Sequence, residues 1–246
     1  MFGAMKGALE AFSRNPLSFL IPTIAYPIFM TITVGAMAGV VLLEFLLLTA
    51  LSIQADIVLI ALAATGALLL IFYGLFSAGY KGALVNEYRK ALRREPVGFT
   101  YFMKYAFKNC PGYFTISLVK IVVMGFLITP LSLFYYFMDL GVTNELLAWL
   151  VILLALSIVF VVEFLFSFSY IAAAVKGARP LTAVINSLNF IKETHVEALI
   201  VYAFYCAVVL ASLVPLVNLV AYVLFYPVAY STLIQFFEKK SKYGPY

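Results

Sequence analysis

Two ionisable side chains, Lys120 and Glu163, stand inside otherwise apolar stretches, where a charge is costly enough to make each a functional candidate. At 1.5 Å rise per residue, Lys120 lies about 14 Å in from Pro111, and Glu163 about 20 Å in from Lys176. The difference is about one helical turn, which a lysine side chain spans, so the two are expected to pair. Such a pair reads as a proton- or ion-coupled site or an anchor for an anionic lipid or solute. It reads equally as a structural ion pair, or as a Lys120 whose ammonium snorkels to the interface.

Other candidates carry less. Pro22 and Pro27, Pro130, and Pro215 with Asn218 could free backbone carbonyls for coordination, although neighbouring helices usually satisfy such kinks. His195 sits between Glu193 and Glu197 with no second His or Cys nearby, so no metal site is read. Cys110 and Cys206 fall at different depths and are read as small hydrophobes, without a disulfide. No GxSxG, HExxH, P-loop or paired-Asp motif occurs, so the chain is read as no enzyme and no cofactor is expected.

The elements that must position Lys120 and Glu163 follow from composition. The 246 residues are 65% hydrophobic and 11% charged, where a soluble domain carries about 25% charged residues. Apolar runs of about 20 residues predict six spans, over 17–43, 57–80, 113–138, 146–175, 196–214 and 216–237. The expected fold is an all-α membrane bundle, a single integral domain of three hairpins.

Fifteen of the sixteen Lys and Arg fall on one side of these spans, with Lys120 the exception; Asp56, Asp139 and Glu145 fall on the other. Cytoplasmic loops retain positive charge, which places both termini in the cytoplasm of a multi-pass cell-membrane protein. Topology thereby accounts for the net charge of +5, and nucleic acid is not an expected partner.

Lys-Gly-Ala recurs at Lys6, Lys81 and Lys176, each at the basic end of a hairpin, and even-numbered spans end alike at Tyr80, Tyr170 and Tyr230. A threefold repeat over about 1–80, 81–175 and 176–246 is expected. Each unit starts with an amphipathic segment. Phe2, Met5, Leu9 and Phe12 oppose Lys6, Glu10 and Arg14; Leu181, Val184, Ile185, Leu188 and Ile191 share a face after Pro180. The linker 81–109 holds two such pieces split at Pro96-Val97-Gly98. Such segments either lie flat on anionic lipid or pack the inner face of the bundle.

Gly79-Tyr80 closing a span, then a basic helix, Pro96 and Phe99, resembles the linker of a family of archaeal and bacterial multi-pass proteins of unknown function. The six-helix layout also resembles the membrane domain attached to some glycerophosphodiester phosphodiesterases. The resemblance implies an architecture and supplies no mechanism.

Two functions compete at this point. One is a carrier that binds a small solute or lipid between the hairpins, with Lys120 and Glu163 in the cavity. The other is a scaffold or accessory subunit that holds anionic lipids, a protein partner or a second copy. Its surface would be Arg89, Lys90, Arg93 and Arg94, with Gly35/Gly39 as a close-approach face.

Overall fold

A computed structural model describes residues 2–51, 53–139, 145–215 and 217–241. Lys242 and Leu216, the first residue expected in the sixth span, lie outside them. Among these described residues seven helices follow in order: α1 (Phe2–Arg14), α2 (Pro16–Ala50), α3 (Ala55–Arg93), α4 (Phe99–Phe137), α5 (Glu145–Lys176), α6 (Pro180–Ala211) and α7 (Asn218–Lys240). The last six are long and apolar enough to cross a membrane, and the chain is a multi-pass, all-α membrane protein.

The helix ends are written in the sequence. Pro16 and Pro180 begin α2 and α6, where a missing N–H costs nothing. Gly177 takes the left-handed conformation (φ +62) that ends α5. At the end of α3, Arg94 is left-handed (φ 60) and the Glu95 N–H donates back to the Lys90 carbonyl at 2.9 Å. Pro96 then prevents continuation.

Helices of 32 to 39 residues exceed the roughly 20 needed to span, so the basic linkers expected between spans are mostly further turns of the same helices. α3 runs unbroken through Lys81 to Arg93. α6 joins the segment after Pro180 to the fifth span across a kink at Thr194 (φ −124), whose hydroxyl bonds the Phe190 carbonyl at 2.7 Å.

Packing concentrates at the basic ends. Buried residues cluster at Ala78–Ala91 of α3, Phe102–Ile116 of α4, Val162–Ala174 of α5 and Val228–Phe237 of α7. The opposite halves of α2, α3 and α4 leave their Leu, Ile, Val and Phe side chains exposed, as lipid-facing surface does. Phe168, Phe190, Phe236 and Phe237 form the aromatic centre, with Phe190 and Phe237 ring centroids 4.8 Å apart.

α3 packs most extensively against α4, across two of the expected hairpins, because glycine removes the obstacle. A Cβ at Gly79 would stand 2.8 Å from the Cys110 Cβ, and one at Gly82 would enter the Tyr113 ring. This contact fixes Lys81 relative to Lys120.

The amphipathic segments differ from their helical-wheel reading. α1 buries its small residues, Ala4 and Ala8, and sets Gly7 against Gln235 of α7. Phe2 (73% exposed) and Leu9 point away from the bundle. Close approach of two backbones wins over burial of the larger side chains. On α6, Val184 and Ile191 are buried while Leu181, Ile185 and Leu188 are exposed. The Lys-Gly-Ala copies also differ locally: Gly7 and Gly82 are helical, whereas Gly177 forms a turn. At Gly35 and Gly39 an added Cβ would meet open space.

Candidate functional site

Lys120 of α4 and Glu163 of α5 meet, with Nζ 2.7 Å from Oε1. Both side chains line a cavity of about 190 Å³ at the centre of the bundle. The lysine is 13% exposed and the carboxylate 44%, so the pair is open on its acidic side.

Every spanning helix contributes to this cavity. α2 supplies Tyr26; α3, Lys81 and Leu84; α4, Lys120; α5, Glu163, Ser167 and Tyr170; α6, Tyr202 and Tyr205; and α7, Tyr226, Tyr230 and Leu233. Tyrosines inside spans have amphipathic rings that pack against apolar neighbours while the hydroxyl stays polar. Here six such hydroxyls converge with two ammonium groups, one carboxylate and one serine.

The tyrosines are held in place by one another and by the backbone. Tyr205 packs on Tyr226 at 5.9 Å and on Tyr230 at 5.5 Å, and Tyr226 stacks on Tyr230 at 5.8 Å. Tyr170 stacks on Tyr113 and shares a hydrogen bond with Ser117. α7 carries a π-helical turn at Ala221–Phe225, and the extra residue offsets the precession of four-residue spacing, so Tyr222, Tyr226 and Tyr230 stack in file.

Pro27 leaves the Thr23 carbonyl without its helical donor, and Tyr222 fills the gap, its hydroxyl donating to Thr23 O at 3.1 Å. The Thr23 hydroxyl in turn bonds Tyr88 at 2.7 Å. Pro111 frees the Phe107 carbonyl in the same way, and the Cys110 Sγ–H donates to it at 3.3 Å. Both freed carbonyls are satisfied within the bundle.

The cations expected to face lipid or a partner are mostly engaged. Arg89 and Arg93 donate to Glu238 of α7 at 2.9 and 2.8 Å, and Arg89 also donates to the Ala174 carbonyl in the last turn of α5. Lys90 donates to Glu87 at 2.7 Å and lies over the Tyr101 ring. Arg94 is exposed at the helix end. Glu87, 1% exposed, also accepts the Gly98 N–H, pinning the α3–α4 turn from inside. His195 is exposed on α6.

Lys81, Ser167 and the tyrosines extend the site beyond the residues singled out from sequence. Lys81 reads as a loop cation because it follows Tyr80 at a span end; only the continuation of α3 places it in the bundle. The tyrosines did leave a signal, since Tyr26, Tyr202 and Tyr205 fall within apolar stretches and not at their margins. Comparison with known protein families, with curated proteins and with solved structures returns no match.

Proposed function

We propose that this membrane protein binds a small polar solute in the cavity lined by its six spanning helices and carries it across the bilayer. The positive-inside rule puts the basic end, both termini included, in the cytoplasm. The observation that carries this reading is the setting of the Lys120–Glu163 pair, which lines a cavity instead of being packed around. A buried pair that serves stability needs its remaining lone pairs satisfied by neighbours, whereas 44% of the Glu163 side chain is left uncovered. Convergence of all six spans on that cavity gives any bound solute contact with each of them. Against the scaffold alternative stand the internal partners of Arg89, Lys90 and Arg93.

Native mass spectrometry of the protein in zwitterionic nanodiscs, incubated with a pool of polar solutes, tests the reading. The wild type should retain a solute that Lys120→Met and Glu163→Gln both release, and proteoliposomes should accumulate that solute. Equal retention by wild type and both variants would leave the pair a structural element and return the scaffold to first place.

A further inference from the structure

The cavity contains one more positive than negative group. Lys120 and Glu163 neutralise each other at 2.7 Å, while Lys81 lines the same space and, among the described residues, has no carboxylate or carbonyl bonded to it. Its charge interacts with both members of the pair without closing on either. Nor is Lys81 at a helix end from which it could reach water, since α3 continues about 18 Å beyond it to Arg93. An ammonium held inside a bundle calls for a counter-ion. Among the described residues the one carboxylate near Lys81 is Glu163, which is already bonded to Lys120.

We infer that the cavity selects a singly charged oxyanion, a carboxylate or phosphodiester head, with Lys81 as its counter-ion; this rests on the cavity being the ligand site. The charge sets the valence. One unmatched ammonium suits one negative charge, whereas a phosphomonoester carries about −1.5 to −2 and would leave the site negative. The lining suits the head and the body. A tyrosine hydroxyl rotates to donate toward an anion, as that of Tyr230 can and that of Tyr170 can while it accepts from Ser117, and the rings of Tyr205 and Tyr226 offer apolar surface beside them. The volume sets the size. A cavity of about 150 Å³ admits benzene, so one of about 190 Å³ takes a small organic acid whole or a phospholipid by its head alone.

Benzoate and its neutral isostere benzamide separate charge from shape, and phosphatidylglycerol against phosphatidylcholine does the same for a lipid source. Each is titrated by native mass spectrometry against wild type, Lys81→Gln and Lys81→Arg in zwitterionic nanodiscs, with thermal unfolding confirming that the variants fold. The expected result is one equivalent of benzoate or of phosphatidylglycerol, weakened at least about tenfold by Lys81→Gln and restored by Lys81→Arg. Benzoate binding without phosphatidylglycerol assigns a free carboxylate, and the reverse assigns a lipid head. If benzamide binds as tightly as benzoate, or Lys81→Gln binds the anion like wild type, the anion assignment falls and the cavity remains a ligand site. If neutral solutes of the pool are retained and neither anion is, the assignment again falls alone. If nothing at all is retained, the cavity reading falls with it.

Discussion

The basic end and the central cavity use the same residue types to opposite effect. At the basic end two carboxylates each gather several donors: Glu238 accepts Arg89 and Arg93, and Glu87 accepts Lys90, Asn86 and the Gly98 N–H. In the cavity Glu163 accepts one ammonium and Lys81 lies beside the pair unbonded. The difference is valence. A cluster whose donors and acceptors close on each other contributes to holding helices together, while one left open has bonding capacity for a guest. Charge in this bundle is therefore read by its partners, not by its burial.

The contrast breaks most severely at Glu87. Its carboxylate is buried, and Glu87→Ala leaves Lys90 and the Gly98 N–H without their acceptor at the α3–α4 turn. Removing one member of a buried pair costs about 3 kcal/mol, so detergent-driven unfolding should shift by that order while the solute affinity of the molecules that remain folded is unchanged. A variant that loses affinity in proportion to stability would mean that turn and cavity are one unit.

Glu238→Ala should cost less, about 1–2 kcal/mol, because the Arg89 and Arg93 pairs are partly exposed and Arg89 keeps the Ala174 carbonyl. The same unfolding assay in high salt should shrink the difference between variant and wild type, since salt screens the exposed pair and not the buried one. A loss as large as that at Glu87, insensitive to salt, would put the Glu238 cluster among the buried ones.

Membrane class, span number and the Lys120–Glu163 contact were legible because each depends on intrachain counting: apolar run length, charge asymmetry, depth from a helix end. The remainder of the site depends on how helices cross. Tyr26, Tyr202 and Tyr230 converge only once α2, α6 and α7 have taken their rotations, which the all-round apolar faces of these helices do not encode. Lys81 was hidden by a rule that is right on average, that a lysine after the last apolar residue belongs to a loop. The outward placement of Phe2 and Leu9 had a comparable cause. In lipid a large apolar side chain gains little by burial, and small residues decide which face of α1 meets α7.

The smallest change in stability is expected where the charge is most central. Replacing Lys120 and Glu163 together by Met and Leu removes the ion pair without orphaning either partner, and apolar substitutes for a buried pair are often neutral or stabilising. The double variant should unfold within about 1 kcal/mol of wild type yet hold the solute at least about tenfold more weakly, because the ion pair would no longer orient it while Lys81 and the hydroxyls remain. Unfolding and native mass spectrometry on one preparation measure both quantities. A double variant as unstable as Glu87→Ala would make Lys120–Glu163 a lock after all, closed by groups other than those bonded to it here, and the distinction between the two regions would reduce to depth in the membrane.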